Sequence, residues 1–356
     1  MNKNKKILVV PLDWGLGHAT RCMPLIAEFL QQKCEVVVAG TETTNELIRQ
    51  SFPLLQYVVI DGYEIAYSHS KWQLPFVIAK QIPKILSKIK AENKWLRQFV
   101  ANNEIDIVIS DNRYGLHHPT VKTIFMSHQL QIQVPQSSWI QWIVNKINHS
   151  YINRFSVCWV PDYKINAIGG ELSNNKGVRH VEYIGNLSRF DKQDPTEINN
   201  DILFLISGPE PQRSLLERKI ILEFTANDSR KIIVRGLPKT SDILEVNGFE
   251  IYNHLSKKEL QDKILCSKTI VCRAGYSTIM DLIKLNKNAL LIPTPGQTEQ
   301  EYLAKELSKR KLYFSINQRQ NILESVALFK EMKFEKMPDY DLELYKEKVR
   351  KLIEGL

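Results

Sequence analysis

The chain has 356 residues, with 48 Lys plus Arg against 39 Asp plus Glu, and 43 % of it is hydrophobic; this is the balance of a folded protein and excludes disorder as its main theme. Such a length predicts two domains, each large enough to bury its own core without a metal or disulfide scaffold. The net charge of +9 attracts phosphates, nucleic acid or an anionic membrane and does not choose among them.

No run of about 18 apolar residues occurs, and residues 1–6 pass directly into the apolar stretch 7–10, so neither a signal peptide nor a spanning helix is expected. Cys22, Cys34, Cys158, Cys266 and Cys272 are odd in number and form no CxxC pair. That argues against disulfide frameworks and zinc ribbons and fits a reducing cytosol.

In chain order, apolar runs at 7–10, 35–39, 57–60, 105–110, 123–126 and 156–160 read as buried strands alternating with helical stretches. A second series follows at 202–206, 231–234, 269–272 and 289–292. Continuous apolar strands alternating with helices predict parallel sheets covered on both faces. The fold class is therefore α/β, with two doubly wound Rossmann-like domains. The boundaries read as 1–188 for the first domain, 189–200 for a polar linker, 201–337 for the second domain and 338–356 for a terminal amphipathic helix with Asp341 as N-cap.

Pro11-Leu12-Asp13-Trp14-Gly15-Leu16-Gly17-His18-Ala19-Thr20-Arg21 follows the first strand and leads into a helix with Leu25, Ile26, Phe29 and Leu30 on its apolar side. A glycine-rich turn at a helix N-terminus lets backbone approach an anionic or hydroxylated ligand. It is neither a GxGxxG fingerprint nor a Walker loop, so no dinucleotide site is expected. His18 stands at the strand's carboxyl end, placed to take a proton from an alcohol; the alternative is that it only caps the helix or bonds a neighbouring loop.

The later strand 269–271 runs into Cys272-Arg273-Ala274-Gly275-Tyr276-Ser277-Thr278. Here Gly275 permits an unusual backbone angle, Ser277 or Thr278 caps the next helix, and the exposed amides suit a diphosphate. Asp281, a turn later, is spaced to bond ribose hydroxyls or else partners the helix dipole. In Pro293-Thr294-Pro295-Gly296-Gln297-Thr298-Glu299-Gln300-Glu301 the acidic and amide groups suit sugar hydroxyls, while Thr298 with Glu301 reads equally as a capping box.

Taken together, GLGHATR, SGPEPQR, CRAGYSTIMDL and PTPGQTEQEYLA resemble the GT-B glycosyltransferases of the MurG type, family 28. Ser127-His128-Gln129-Leu130 corresponds to an acceptor-side loop of that family, and Gly185-Asn186-Leu187-Ser188-Arg189 to the motif entering its linker. The resemblance implies two Rossmann-like domains facing a central cleft, with a nucleotide-sugar donor, a UDP-sugar in most members, held by the second domain and a hydroxyl acceptor by the first. His18 then matches a general base, with Asp111 and His128 as further catalytic candidates. The donor would meet Gly17, Arg189, Ser207, Gly208, Leu255, Arg273, Ala274, Gly275, Tyr276, Ser277, Thr278, Asp281, Glu299 and Gln300. Asp13, Gln129, Trp139 and Trp142 would lie on the acceptor side. Two departures stand out: the GGS turn after the first strand of the second domain is Ser207-Gly208-Pro209-Glu210-Pro211, whose prolines donate no amide, and the N-terminal GGTGGH is reduced to GLGH.

The implied reaction inverts the anomeric carbon and needs no metal or other cofactor, with helix amides and Arg273 or Arg189 meeting the diphosphate charge. It suits envelope, glycolipid or polysaccharide synthesis by a cytoplasmic protein at the inner face of the membrane. Along 77–99, Ile78, Ile82, Ile85, Leu86 and Ile89 share one helical face and Lys80, Lys84 and Lys88 another, interrupted by Pro83. With Trp139-Ile140-Gln141-Trp142-Ile143 they form a candidate anionic-membrane contact, or simply a helix flanking a sheet. The basic residues are dispersed and no nucleic-acid motif occurs, so nucleic acid is not an expected partner. A nucleotide-sugar hydrolase or 2-epimerase, and a non-catalytic sugar-binding protein, remain alternatives on the same fold.

Overall fold

The computed structural model describes residues 4–63, 74–134, 137–193, 197–225, 229–237 and 243–355. It divides into two units. One takes in the chain up to Leu187 together with Asp339–Leu356, and the other is Ser188–Pro338.

The first unit contains β1 (Lys6–Val10), α1 (Leu16–Gln31), β2 (Glu35–Gly40), α2 (Glu42–Arg49), β3 (Gln56–Val59), α3 (Leu74–Asn103), β4 (Ile107–Asp111), β5 (Lys122–Met126), α4 (Ser138–Ile152), β6 (Val157–Val160) and β7 (Val181–Tyr183). Its strands form a parallel sheet in the order β3-β2-β1-β4-β5-β6-β7. Both faces are covered, which explains why β1 is apolar throughout. Ile7 and Val9 pack with Leu25, Ile26 and Phe29 of α1, whereas Leu8 and Val10 pack on the other face with Leu96 of α3 and Ile152 of α4. Leu30, expected on the apolar side of α1, is 38 % exposed.

The second unit contains β8 (Asn200–Leu205), α5 (Gln212–Phe224), β9 (Lys231–Val234), β10 (Ile243–Val246), β11 (Phe249–Tyr252), α6 (Lys257–Leu265), β12 (Ser267–Cys272), α7 (Tyr276–Lys284), β13 (Leu290–Leu291), α8 (Thr298–Lys309), β14 (Phe314–Ser315) and α9 (Ile322–Glu331). Its sheet runs β10-β11-β9-β8-β12-β13-β14. Ile202, Phe204 and Ile206 pack against Leu216, Ile220 and Phe224 of α5 and Val326 and Phe329 of α9.

This sheet is not wholly parallel as the apolar runs predict, because β10 pairs antiparallel with β11. The two are joined by Asn247-Gly248, both at positive φ (51° and 75°), as a tight two-residue hairpin turn requires. β10 is exposed along its length, and so carries none of the apolar continuity that marks the other strands.

The chain then returns to the first unit. α10 (Leu344–Glu354) sinks Tyr345, Val349 and Leu352 into the cluster beneath α1, each such burial being worth roughly 1.5–3 kcal/mol. Asp341 is not its N-cap. The helix starts later, after Glu343, and the Asp341 carboxylate instead accepts from the Glu343 amide at 3.0 Å.

Candidate active site

Both sheets have the strand order in which neighbouring loops part in opposite directions, and that point is where open α/β sheets hold ligands. In the first unit the reversal falls between β1 and β4, paired from Ile7↔Ile107 to Val10↔Ser110. The turn after β1 delivers His18 in the first turn of α1, and Arg21 lies one turn further on the same face. β4 ends on Asp111, and His128 follows the end of β5 by two residues.

These four side chains meet. His18 Nδ1 lies 2.9 Å from Asp111 Oδ2 and 2.8 Å from Arg21 Nη2. Arg21 Nε donates to Asp111 Oδ2 at 3.0 Å, its Nη2 donates to Asp111 Oδ1, and its Nη1 reaches His128 Nδ1 at 3.0 Å. A guanidinium only donates, so His128 Nδ1 accepts. Nη2 carries two N–H groups, one directed at Asp111 Oδ1 and the other within reach of His18 Nδ1; in the tautomer with its proton on Nδ1, His18 donates to the carboxylate and Nε2 keeps the lone pair. Among the described residues His18 Nε2 has no partner, and the side chain keeps 15 % of its surface open, whereas Asp111 has none.

Burial and the neighbouring Arg21 push the His18 pKa below its ordinary 6.5, with Asp111 opposing. Burial works against the Asp111 charge, but Arg21 and His18 outweigh it and hold the carboxyl below its usual range. The imidazole is thus neutral and basic near neutral pH beside an ionised carboxylate. Asp111 and His128, expected to be catalytic, are buried. The carboxylate has no open surface to offer a substrate and is held by His18 and Arg21; the lone pair of His128 Nδ1 is already engaged by Arg21.

Asp13 Oδ1 accepts from the Tyr63 amide at 3.3 Å, and its other oxygen fills the space that an added Cβ at Gly62 would need. The same loop is fixed by a buried pair that sequence reasoning did not find. Arg113 Nε donates to Glu92 at 2.7 Å, Arg113 Nη2 donates to the Asp61 carbonyl at 2.6 Å, and Tyr63 Oη donates to Glu92 at 2.7 Å. The Gly17 carbonyl accepts from Thr20 Oγ1 at 3.1 Å, and the Gln129 amide donates to Ser127 Oγ at 3.0 Å.

On α4, Trp139 and Trp142 are 67 % and 63 % exposed, and Ile140, Ile143 and Ile147 are exposed to a lesser degree. Lys146 Nζ stands 5.0 Å from the Trp142 ring centroid. The stripe expected on α3 is different. Pro83 does not interrupt the helix, which runs through it, and Ile89 is buried with Leu12 and Tyr63, with Ile85 packed against them. Lys88 is paired with Asp61 at 3.0 Å. The side chains of Ile78, Lys80 and Ile82 lie outside the described residues. No helix among the described residues is long and apolar enough to cross a membrane.

In the second unit the order reverses between β8 and β12. The loop after β8 presents Ser207, half-buried, and Gly208, exposed; the loop after β12 carries Arg273, Ala274 and Gly275 into α7. Gly275 has an ordinary φ of −73° and is itself the N-cap, with no side chain capping the helix. Tyr276, Ser277 and Thr278 therefore make up its first turn, and neither Ser277 nor Thr278 caps it as expected.

Several polar side chains predicted to face the donor hold loops instead. Arg273, 2 % exposed, donates to the carbonyls of Ile292 at 3.2 Å, Pro293 at 3.4 Å and Gln212 at 2.8 Å, and burial pushes its pKa down to about 10. A cation so engaged is not the one that meets a diphosphate. Asp281 accepts from Ser188 Oγ at 2.6 Å and pairs with Arg189 at 3.5 Å; burial nevertheless raises its pKa. Gln300 Oε1 accepts from the Thr294 amide at 2.9 Å, and Glu301 accepts from the Gly296 amide at 3.1 Å. This replaces the expected Thr298 capping box, since Gln297 is the N-cap of α8. Glu299 lies in the first turn of α8.

Leu255 is buried just ahead of a capping box in which Ser256 and Glu259 cap α6. Beside it runs a second network that sequence reasoning missed: Glu217 takes Arg213 at 2.9 Å and Arg235 at 3.0 Å, and Arg235 continues to Asn253 Oδ1 at 3.0 Å. Among the described residues, no cluster of three or more His, Cys, Asp or Glu is placed to hold a metal ion.

Residues 242–340 match the glycosyltransferase family 28 C-terminal domain. The curated relatives include proteins named UDP-N-acetylglucosamine--N-acetylmuramyl-(pentapeptide) pyrophosphoryl-undecaprenol N-acetylglucosamine transferase. The one from Staphylococcus epidermidis is 22 % identical over 78 % of this chain and 75 % of its own length. That from Clostridium perfringens is 24 % identical over 97 % of this chain and 92 % of its own. Among solved structures, the glycosyltransferase SnogD from Streptomyces nogalater superposes with a TM-score of 0.63 at 11 % identity, covering 99 % of this chain and 100 % of its own.

Proposed function

We propose that this chain, similar in sequence to MurG-type transferases and in fold to a GT-B glycosyltransferase, moves a hexose from a UDP-sugar to an acceptor hydroxyl with His18 as general base. The observation that carries this reading is the His18–Asp111 pair, 2.9 Å apart at the switch point of the first sheet, with His18 Nε2 left open. The acceptor oxygen attacks the anomeric carbon from the face opposite the leaving group and gives its proton to Nε2. The bond to the diphosphate breaks and the anomeric centre inverts. The imidazolium that forms is stabilised through Nδ1–H by Asp111.

Amides in the first turn of α7, supported by the helix dipole, and Arg189 meet the charge that gathers on the leaving UDP, a scheme that needs no metal ion. Main chain at Leu255 reads the base, and Glu299 faces the sugar. The acceptor is membrane-borne: the relatives are named for an undecaprenol-linked acceptor, and the exposed Trp139, Trp142 and Ile147 of α4, with Lys146 beside them, have the apolar-plus-basic chemistry of an interfacial helix.

Thermal shift with UDP, GDP, ADP, CMP and dTDP tests the donor, since a ligand bound only by the native state raises apparent stability. UDP is expected to stabilise selectively, and silence from all five defeats the donor assignment. Incubating UDP-sugars without acceptor should release little free sugar and no epimer; fast turnover there would identify a hydrolase or epimerase. Co-sedimentation with anionic vesicles should fall when Trp139 and Trp142 are both changed to Ala, and an unchanged bound fraction removes the membrane role of α4.

A further inference from the structure

With His18 as base, the guanidinium of Arg21 is the hub of the first-unit site. We propose that Arg21 is a positioning residue for the transfer reaction, fixing Asp111 and both imidazoles in one arrangement of protons. The inference rests on the reading of His18 given above. Arg21 is 3 % exposed and so acts through its neighbours.

Its fork serves three neighbours: Nε and Nη2 take the two oxygens of Asp111, Nη1 takes His128 Nδ1 at 3.0 Å, and Nη2 also stands 2.8 Å from His18 Nδ1. Three consequences follow. Asp111 cannot rotate away from His18. The His128 lone pair at Nδ1 is occupied, which puts that ring's proton on Nε2 and takes Nδ1 out of competition for the substrate proton. With both carboxylate oxygens oriented, Asp111 Oδ2 stands 2.9 Å from His18 Nδ1 and favours the tautomer with its proton there, in which the basic nitrogen is the open Nε2. A lysine has the charge and not the fork, so charge and geometry separate experimentally.

The groups facing His18 are Arg21 from its own helix, Asp111 from the end of β4 and His128 from the loop after β5; Cys22 Sγ, 3.9 Å from Asp111, completes the surround. Arg21 lowers the proton affinity of His18 and Asp111 raises it. Removing the guanidinium charge leaves the carboxylate less opposed, so the acid limb of the rate profile moves to higher pH.

The test compares Arg21→Lys, Arg21→Gln and His18→Ala with the parent, reading kcat, donor KM, the pH profile and the UDP-induced thermal shift. Arg21→Lys should lose roughly 10-fold in kcat with the acid limb in place. Arg21→Gln should lose on the order of 10²-fold with the limb moved upward. Donor KM should change less than about 3-fold in either variant. Parental kcat and pH profile in both Arg21 variants, with His18→Ala inactive, overturns the proposal alone. Parental turnover in His18→Ala overturns the reading of His18 and the proposal with it.

A measurement on the parent does not depend on the variants folding. Nitrogen NMR of histidine-labelled protein near pH 7.5 should show His18 protonated at Nδ1 and bare at Nε2, and His128 bare at Nδ1. A proton on His128 Nδ1 refutes the clamp.

Discussion

The two switch points share a topology and use it in opposite ways. In the first unit, charged and titratable side chains converge on one another, and an imidazole is left with one nitrogen open. In the second, Arg273, Gln300 and Glu301 turn back onto loop amides and carbonyls, and Asp281 anchors Ser188 and Arg189. What remains there for a donor is the start of α7, with the part-exposed Arg189 and Glu299. The first arrangement suits proton transfer. The second suits holding an anion and a sugar by shape and amides. A conspicuous charged residue in a motif therefore says little about the direction in which its charge acts.

The sharpest way to break this contrast is His18→Ala. Loss of a general base costs typically 10²–10⁴-fold, so kcat should fall by roughly that factor while UDP still raises the melting temperature as it does in the parent. Steady-state kinetics and thermal shift on one preparation decide it. A variant with near-parental kcat would strip the first switch point of its chemical role.

Arg273→Met is the mirror experiment in the second unit. Three carbonyls lose their donor, offset in part by no longer burying a charge, and stability should fall by about 2–3 kcal/mol in denaturant titration. Because the start of α5 and the loop after β13 are loosened and no donor contact is removed, UDP affinity should weaken by roughly 10-fold with kcat at saturating donor changed far less. If kcat collapses and affinity holds, Arg273 faces the leaving group, and the two units are more alike than their hydrogen bonds indicate.

Much of this was legible in the sequence. The buried strands announce themselves as continuous apolar runs because both sheet faces are covered. β7, β10, β11 and β14 escaped because they are short and at or next to sheet edges, although Asn247-Gly248 between two alternating stretches was an available hairpin signal. His18 was findable since a titratable residue just past a strand end has few other reasons to be there. Arg21 stood in the same motif, three residues away, yet its task is set by Asp111 and His128, 90 and 107 residues distant. Arg273 misled for the same reason: residue type and spacing give its location, and the carbonyls it serves come from other loops.

The smallest effect follows from the same convergence of charge. The His18 pKa is held below 6.5 by burial and by Arg21. Between its folded value and 6.5 the unfolded chain binds more protons than the native one, so stability drops as pH falls through that window, by at most about 1.4 kcal/mol per pH unit for one group. Asp111 is held below its ordinary 3.8; its contribution is complete above that value and is lost only as pH falls through the folded value, so it is silent at pH 5.5. His117, His118 and His254 are also shifted downward and contribute to the total slope, but they cancel when the parent is compared with His18→Gln. Urea midpoints at pH 7.5 and 5.5 should therefore differ less in the variant than in the parent. An equal difference in both proteins would mean that His18 titrates alike in the folded and unfolded chain, and that Arg21 does not press on it as its position 2.8 Å away requires.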